Sequence, residues 1–130
     1  MYKFKPEKLF LIDGLGAIVS AFLLGVILTK FESVFGMPRR VLYFLALIPC
    51  IFAVYDFGVI FRNPASWGPA LKVIAIANLI YCGVSVGFVI HHYQKLTALG
   101  LIYFIVEVLI VIILSGIELK TAVNLRRKIN

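Results

Sequence analysis

The chain has 130 residues, 62% of them hydrophobic, with a mean hydropathy of +1.05 and a formal net charge of +7. Soluble domains are about 45–50% apolar, so this composition excludes an ordinary water-soluble domain. The positive charge lies in the ends and loops, where it reports membrane topology and contact with anionic headgroups. No separate basic domain is present to bind nucleic acid.

The apolar residues fall into four runs, each long enough to cross a bilayer as a helix. This pattern predicts an all-α polytopic membrane protein, a four-transmembrane-helix bundle in one domain over residues 1–130. The first helix is expected over residues 9–29. Asp13, Gly16, Ala17 and Ser20 recur there at helical spacing and give a small, close-packing face. Asp13 lies about four residues in, where an acid also suits the helix dipole. The basic start precedes an apolar run much longer than a signal-peptide core, and no small-residue cleavage pattern follows. The first helix is therefore expected to remain as an anchor. A turn containing Gly36-Met37-Pro38 leads to the second helix, residues 41–61, which holds Pro49 and the pair Tyr55-Asp56. Proline removes one backbone donor and frees a carbonyl a turn earlier, at Leu45.

After a turn with two X-Pro steps and Trp67, an interface anchor, the third helix is expected over residues 71–91. Ala75, Asn78, Cys82 and Ser85 form its small, polar stripe, with Tyr81 beside it. Asn78 is deep in the run, where an amide is expected to bond to another helix. His91 and His92 close this helix, and the reading for them is a solvated or interfacial pair. The fourth helix is expected over residues 97–119, followed by a basic tail, 120–130, that continues as a short helix lying at the headgroups.

The fourth run is the most informative. It is nearly all apolar yet carries Glu107 and Glu118. An acid at the centre of a bilayer costs about 2.5–3.5 kcal/mol on insertion scales, so it normally faces a bundle interior or a wet cavity. The two glutamates are eleven positions apart, only about 20° off three full turns at about 100° per residue. They share one stripe, with Tyr103 a turn before Glu107.

Lysines and arginines orient the bundle. Nine lie at the two ends and the middle loop and four in the other loops, which predicts both termini in the cytoplasm of a cell whose inner membrane the chain crosses. On that topology Asp13, Asp56, Asn78, Ser115 and Glu118 fall in the cytoplasmic half and Glu107 near the midplane. The expectation is an acid-lined cavity open toward the cytoplasm. Glu107 is its inner titrating group, Asp56 and Glu118 form its mouth, Asn78 and Tyr103 orient them, and Tyr55, Tyr81 and Asp13 contribute to the lining. A faint internal echo, Tyr43-Phe44 against Tyr103-Phe104 with Asp56 against Glu118, suggests two parallel hairpin repeats.

Three uses of such acids stay open: exchanging protons in a low-dielectric cavity or holding an organic cation against tyrosine faces, binding a metal, or fixing helix register as hydrogen-bonded structural groups. No Glu-x-x-His pair supports a di-iron site, and no catalytic residues, metal ligands or cofactor are assigned. Cys50 and Cys82, without a Cys-x-x-Cys motif, read as packing residues. The leading expectation is a non-enzymatic protein that binds or transports a small molecule, cation or proton. A non-catalytic subunit or assembly factor that meets a second copy or a membrane partner through small-residue faces is the alternative. A membrane enzyme acting on lipid or isoprenoid is the third.

Overall fold

The computed structural model describes residues 6–62 and 67–129, with side-chain surroundings described through Asn124. The side chains of Lys3, Lys5, Arg126, Arg127 and Lys128 and the turn at 63–66 lie outside the described residues. Four helices are long and apolar enough to cross a membrane: α1 (Pro6–Lys30), α3 (Arg39–Arg62), α4 (Gly68–His91) and the Ala98–Asn124 part of α5 (Ala98–Ile129). A one-turn helix, α2 (Glu32–Phe35), lies between the first two. The chain is thus a four-helix membrane bundle. All four spans bury only a minority of their residues within the protein, as expected where the solvent on the outer faces is lipid.

The ends of these helices follow from local chemistry. α2 stops at Gly36, whose φ of 84° is left-handed and whose N–H donates to the Glu32 carbonyl at 2.7 Å. Thr97 caps α5: its Oγ1 accepts from the Gly100 N–H at 3.1 Å. Its own N–H donates to the Phe35 carbonyl at 3.2 Å, which ties α2 to the start of α5. Two irregularities interrupt the spans. Leu23–Ile27 of α1 forms a π-helical turn in which the Leu28 N–H donates to the Leu23 carbonyl. Pro49 sits inside the otherwise continuous α3. The tail residues continue α5 as helix without a break to Ile129. Thr121 and Ala122 in this extension are buried, so packing against the inner-end core, and not the headgroup surface alone, holds its first turn.

α1 packs along α3 and α4 along α5, giving two sequential hairpins that meet each other more sparingly. Two apolar cores join them, one at each end. At the inner end Leu9, Phe10, Val59, Leu71, Ile74 and Ala122 cluster, and the Phe10 ring lies 5.7 Å from that of Trp67. At the outer end the cluster includes Leu24, Leu28, Met37, Leu42, Leu45 and Phe104. The loops there approach so closely that a Cβ at Gly100 would meet the Phe35 carbonyl and one at Gly36 the Lys95 carbonyl.

The two hairpins present matching buried faces. Asp13, Ala17 and Ser20 of α1 correspond to Asn78, Cys82 and Ser85 of α4, 65 positions later. Leu42, Ala53, Asp56 and Val59 of α3 correspond to Phe104, Ser115, Glu118 and Thr121 of α5, 62 positions later. All are buried except Ser20, which is half-buried. The Tyr43-Phe44 echo is out of this register: Tyr43 and Phe44 are exposed, whereas Phe104 is buried. Helices with like-facing polar positions in both hairpins fit two parallel repeats about an axis along the membrane normal. The three-position difference in offset falls in the connection containing α2.

Candidate functional site

The hairpins are joined at both ends but separate in the middle, where they leave a cleft of about 620 Å³. This lies within the range of about 300–1,000 Å³ usual for small-molecule sites. Val19, Leu23, Phe52, Ile102, Val106 and Leu114 are among its apolar walls, and both helix irregularities contribute, through Leu23 and Pro49. Several wall residues of α1 and α5 are themselves exposed: Gly16, Val19, Ile102, Val106 and Ile110. The cleft therefore opens sideways between α1 and α5, toward the bilayer. Asp13 and Glu107 of the expected acid-lined cavity do line this cleft, but its walls are mainly apolar and its mouth is lateral. The reason is packing: an apolar core of Leu9, Phe10, Val59, Leu71, Ile74 and Ala122 fills the end near the termini, while α1 and α5 touch little.

Glu107 is the polar centre of the cleft. Its carboxyl is buried, at 7% exposure, and both oxygens are engaged. Tyr81 of α4 donates to Oε1 at 2.9 Å, and Tyr103 of α5 donates to Oε2 at 2.8 Å. Tyr103 reaches it because residues four apart stack on one helix face. The Tyr81 ring is held edge-on to Phe52 at 6.2 Å, and Tyr103 edge-on to Phe35 at 6.4 Å. Ser20 of α1 faces the same carboxyl from across the cleft. Asp13 and Asn78 line one end of the cleft. Among the described residues the lining thus contains two carboxyls and no lysine, arginine or histidine.

Asp56 and Glu118 do not line the cleft. Each is fully buried on the far side of Asp13 and Asn78, and the role of a mouth does not fit them. Asn78 Nδ2 donates to Asp13 Oδ1 at 2.8 Å and lies 3.4 Å from Glu118 Oε1. The Asp56 carboxyl faces both Asp13 and Glu118. Tyr55 also departs from expectation. Its hydroxyl donates to the Ala70 carbonyl at 2.9 Å, pinning α3 to the start of α4, and it takes no part in the cleft.

Ser20 was not foreseen as a neighbour of Glu107, since only the packing of α1 against α5 brings them together. Cys50 faces outward and Cys82 is buried, and both are free thiols. Cys82 Sγ lies 3.9 Å from the Val108 carbonyl. His91 is exposed, and His92 Nδ1 lies 3.1 Å from the Phe88 carbonyl at the outer helix end, remote from the acids. Among the described residues no group of three or more His, Cys, Asp or Glu side chains is arranged to hold a metal ion. No protein-family model, curated protein or solved structure matches the chain.

Proposed function

We propose that the protein binds a small amphiphile with a cationic head, drawn laterally from the bilayer into the cleft, and carries or presents it within the membrane. The observation that supports this most is Glu107, held between two tyrosine hydroxyls in an apolar cleft whose lining, among the described residues, contains acids but no base. The apolar walls suit an alkyl or aromatic body. The fixed carboxyl and the tyrosine faces suit a cation. An anionic head would meet Asp13 and Glu107 with no counter-charge. On this reading the chain lies in a cell inner membrane with both termini cytoplasmic, as its nine-to-four distribution of basic residues favours.

The test compares dodecylamine with dodecanoate, amphiphiles of equal chain length and opposite charge. Native mass spectrometry of the protein released from detergent is expected to retain dodecylamine, to lose it in Glu107→Gln, and to show no dodecanoate. Equal retention of the two would overturn the reading, as would retention of neither.

A second reading, a subunit that binds a partner helix, draws on a different observation. Gly83 and Gly87, one turn apart on α4, face outward, and a Cβ at either would meet nothing within 4 Å. Paired glycines at this spacing allow close helix approach in membranes. If this reading holds, Gly83→Ile with Gly87→Ile removes a co-purifying polypeptide or a dimer, and Glu107→Gln removes neither.

A further inference from the structure

Behind the cleft, one polar residue from each of the four long helices meets at a single level. Asp13 comes from α1, Asp56 from α3, Asn78 from α4 and Glu118 from α5. All are at least nine-tenths buried, with exposures of 4%, 0%, 5% and 0%. Asp13, Asn78 and Glu118 form a linked trio through the Asn78 amide. Asp56 is aimed into that trio, yet neither of its oxygens has a hydrogen-bond partner among the described residues, and Asp13 Oδ2 and Glu118 Oε2 also lack one. All four atoms are acceptors in search of donors. Asn78 supplies the cluster's amide protons, and every described lysine and arginine side chain is exposed. Of the other polar side chains near this level, Tyr55 bonds to the Ala70 carbonyl and Thr121 to the Ile117 carbonyl, while Ser115 Oγ, a turn before Glu118, is buried without a partner among the described residues.

We propose that Asp13, Asp56 and Glu118, bridged by Asn78, form a proton-binding site that adjoins the cleft. Carboxyl oxygens that face one another without a counter-cation are reconciled by a proton between them, each O–H donating to a neighbouring carboxylate oxygen. Such a cluster titrates as a unit, not residue by residue. The donor set suits a proton better than a metal ion, since the carboxyls are not arranged as a metal cluster. Asp13 belongs to both sites, because it also lines the cleft. A proton gained or lost by the cluster therefore changes the charge next to that end of the cleft. This link to ligand charge rests on the cationic-amphiphile reading above; the proton site itself does not.

Infrared spectroscopy of the protein in lipid nanodiscs, at neutral pH and without ligand, tests the proton site first. A carboxylic-acid C=O band that shifts on exchange into D₂O is expected. Asp56→Asn, Asp13→Asn or Glu118→Gln should weaken it, while Glu107→Gln leaves the larger part in place. Thermal unfolding of each amide variant confirms that it folds. No carboxylic band in the wild-type chain, or a band indifferent to all three cluster substitutions, would overturn the proposal. Saturating dodecylamine, the probe for the cleft, should then reduce the wild-type band but not that of Asp13→Asn. A band unchanged by amine that demonstrably binds would overturn the link between the two sites.

Discussion

Asn78 donates a 2.8 Å hydrogen bond to Asp13, residues 65 positions apart that occupy equivalent places in the first helices of the two hairpins. The contact lies where the two halves face each other and where the cleft ends. It joins fold and site, because the same amide that links the hairpins also orients an acid of the cleft lining.

Removing that amide should therefore loosen the bundle as a whole. Asn78→Leu loses the bond to Asp13 and the approach to Glu118 and leaves their carboxyls with one donor fewer. Interhelical hydrogen bonds in membranes contribute on average about 0.6 kcal/mol and at most about 1.7 kcal/mol, and an orphaned buried acceptor adds about 1–3 kcal/mol. A destabilisation of about 2 kcal/mol is expected, read as a lower thermal unfolding midpoint in detergent. An unchanged midpoint would show that the hydrogen bond is not what holds the hairpins here.

The two tyrosines should contribute unequally to folding and to binding. Tyr103→Phe removes a donor from Glu107 but keeps the ring against Phe35, so stability should fall by about 1–3 kcal/mol, the cost of a buried acceptor left without a donor. Dodecylamine affinity should fall severalfold, less than in Glu107→Gln. If Tyr103→Phe binds the amine as tightly as wild type, Glu107 does not need to be held in place to act.

Glycines separate the open cleft from the closed crossings. A side chain at Gly16 has open space before it and points along the cleft lining. Gly16→Leu should leave stability within about 0.5 kcal/mol of wild type while blocking amine retention in the mass spectrum. Gly100→Ala is the contrast. Its Cβ would collide with the Phe35 carbonyl, which is backbone and cannot swing aside. That variant should fold poorly, with a loss of at least about 2 kcal/mol measured by thermal unfolding. Equal behaviour of the two variants would contradict the packing described.

Gly36→Ala tests the outer turn. The left-handed φ of 84° disfavours alanine by about 1 kcal/mol, and the new Cβ would also meet the Lys95 carbonyl. Destabilisation beyond the backbone term alone is expected, and a loss of about 1 kcal/mol or less would mean that the loop moves apart at little cost.

The thiols report which faces look outward. In mild detergent a small apolar maleimide should modify Cys50 faster than Cys82, which reacts only after unfolding, because Cys50 lies on the outer face of its span and Cys82 is buried beside α5. Peptide mapping after labelling distinguishes them, and rapid labelling of Cys82 in the folded protein would place α4 differently.

Hydropathy alone determined the four spans, because a segment crossing lipid must satisfy its backbone internally and present an apolar surface along its length. Periodicity also picked out Asn78, Glu107 and Glu118 as inward-facing, since a polar group in such a segment avoids lipid. Pairings across helices were not legible from it. Asp56 and Tyr55 are adjacent in sequence and point about 100° apart on the helix. Which of them joins the acids and which bonds to Ala70 depends on where α1 and α4 lie around α3. The cleft and its lateral mouth were likewise decided by tertiary structure. They arise because the hairpins are joined at Gly36 and Gly100 at one end and at Phe10 and Trp67 at the other, leaving a middle that no local spacing encodes.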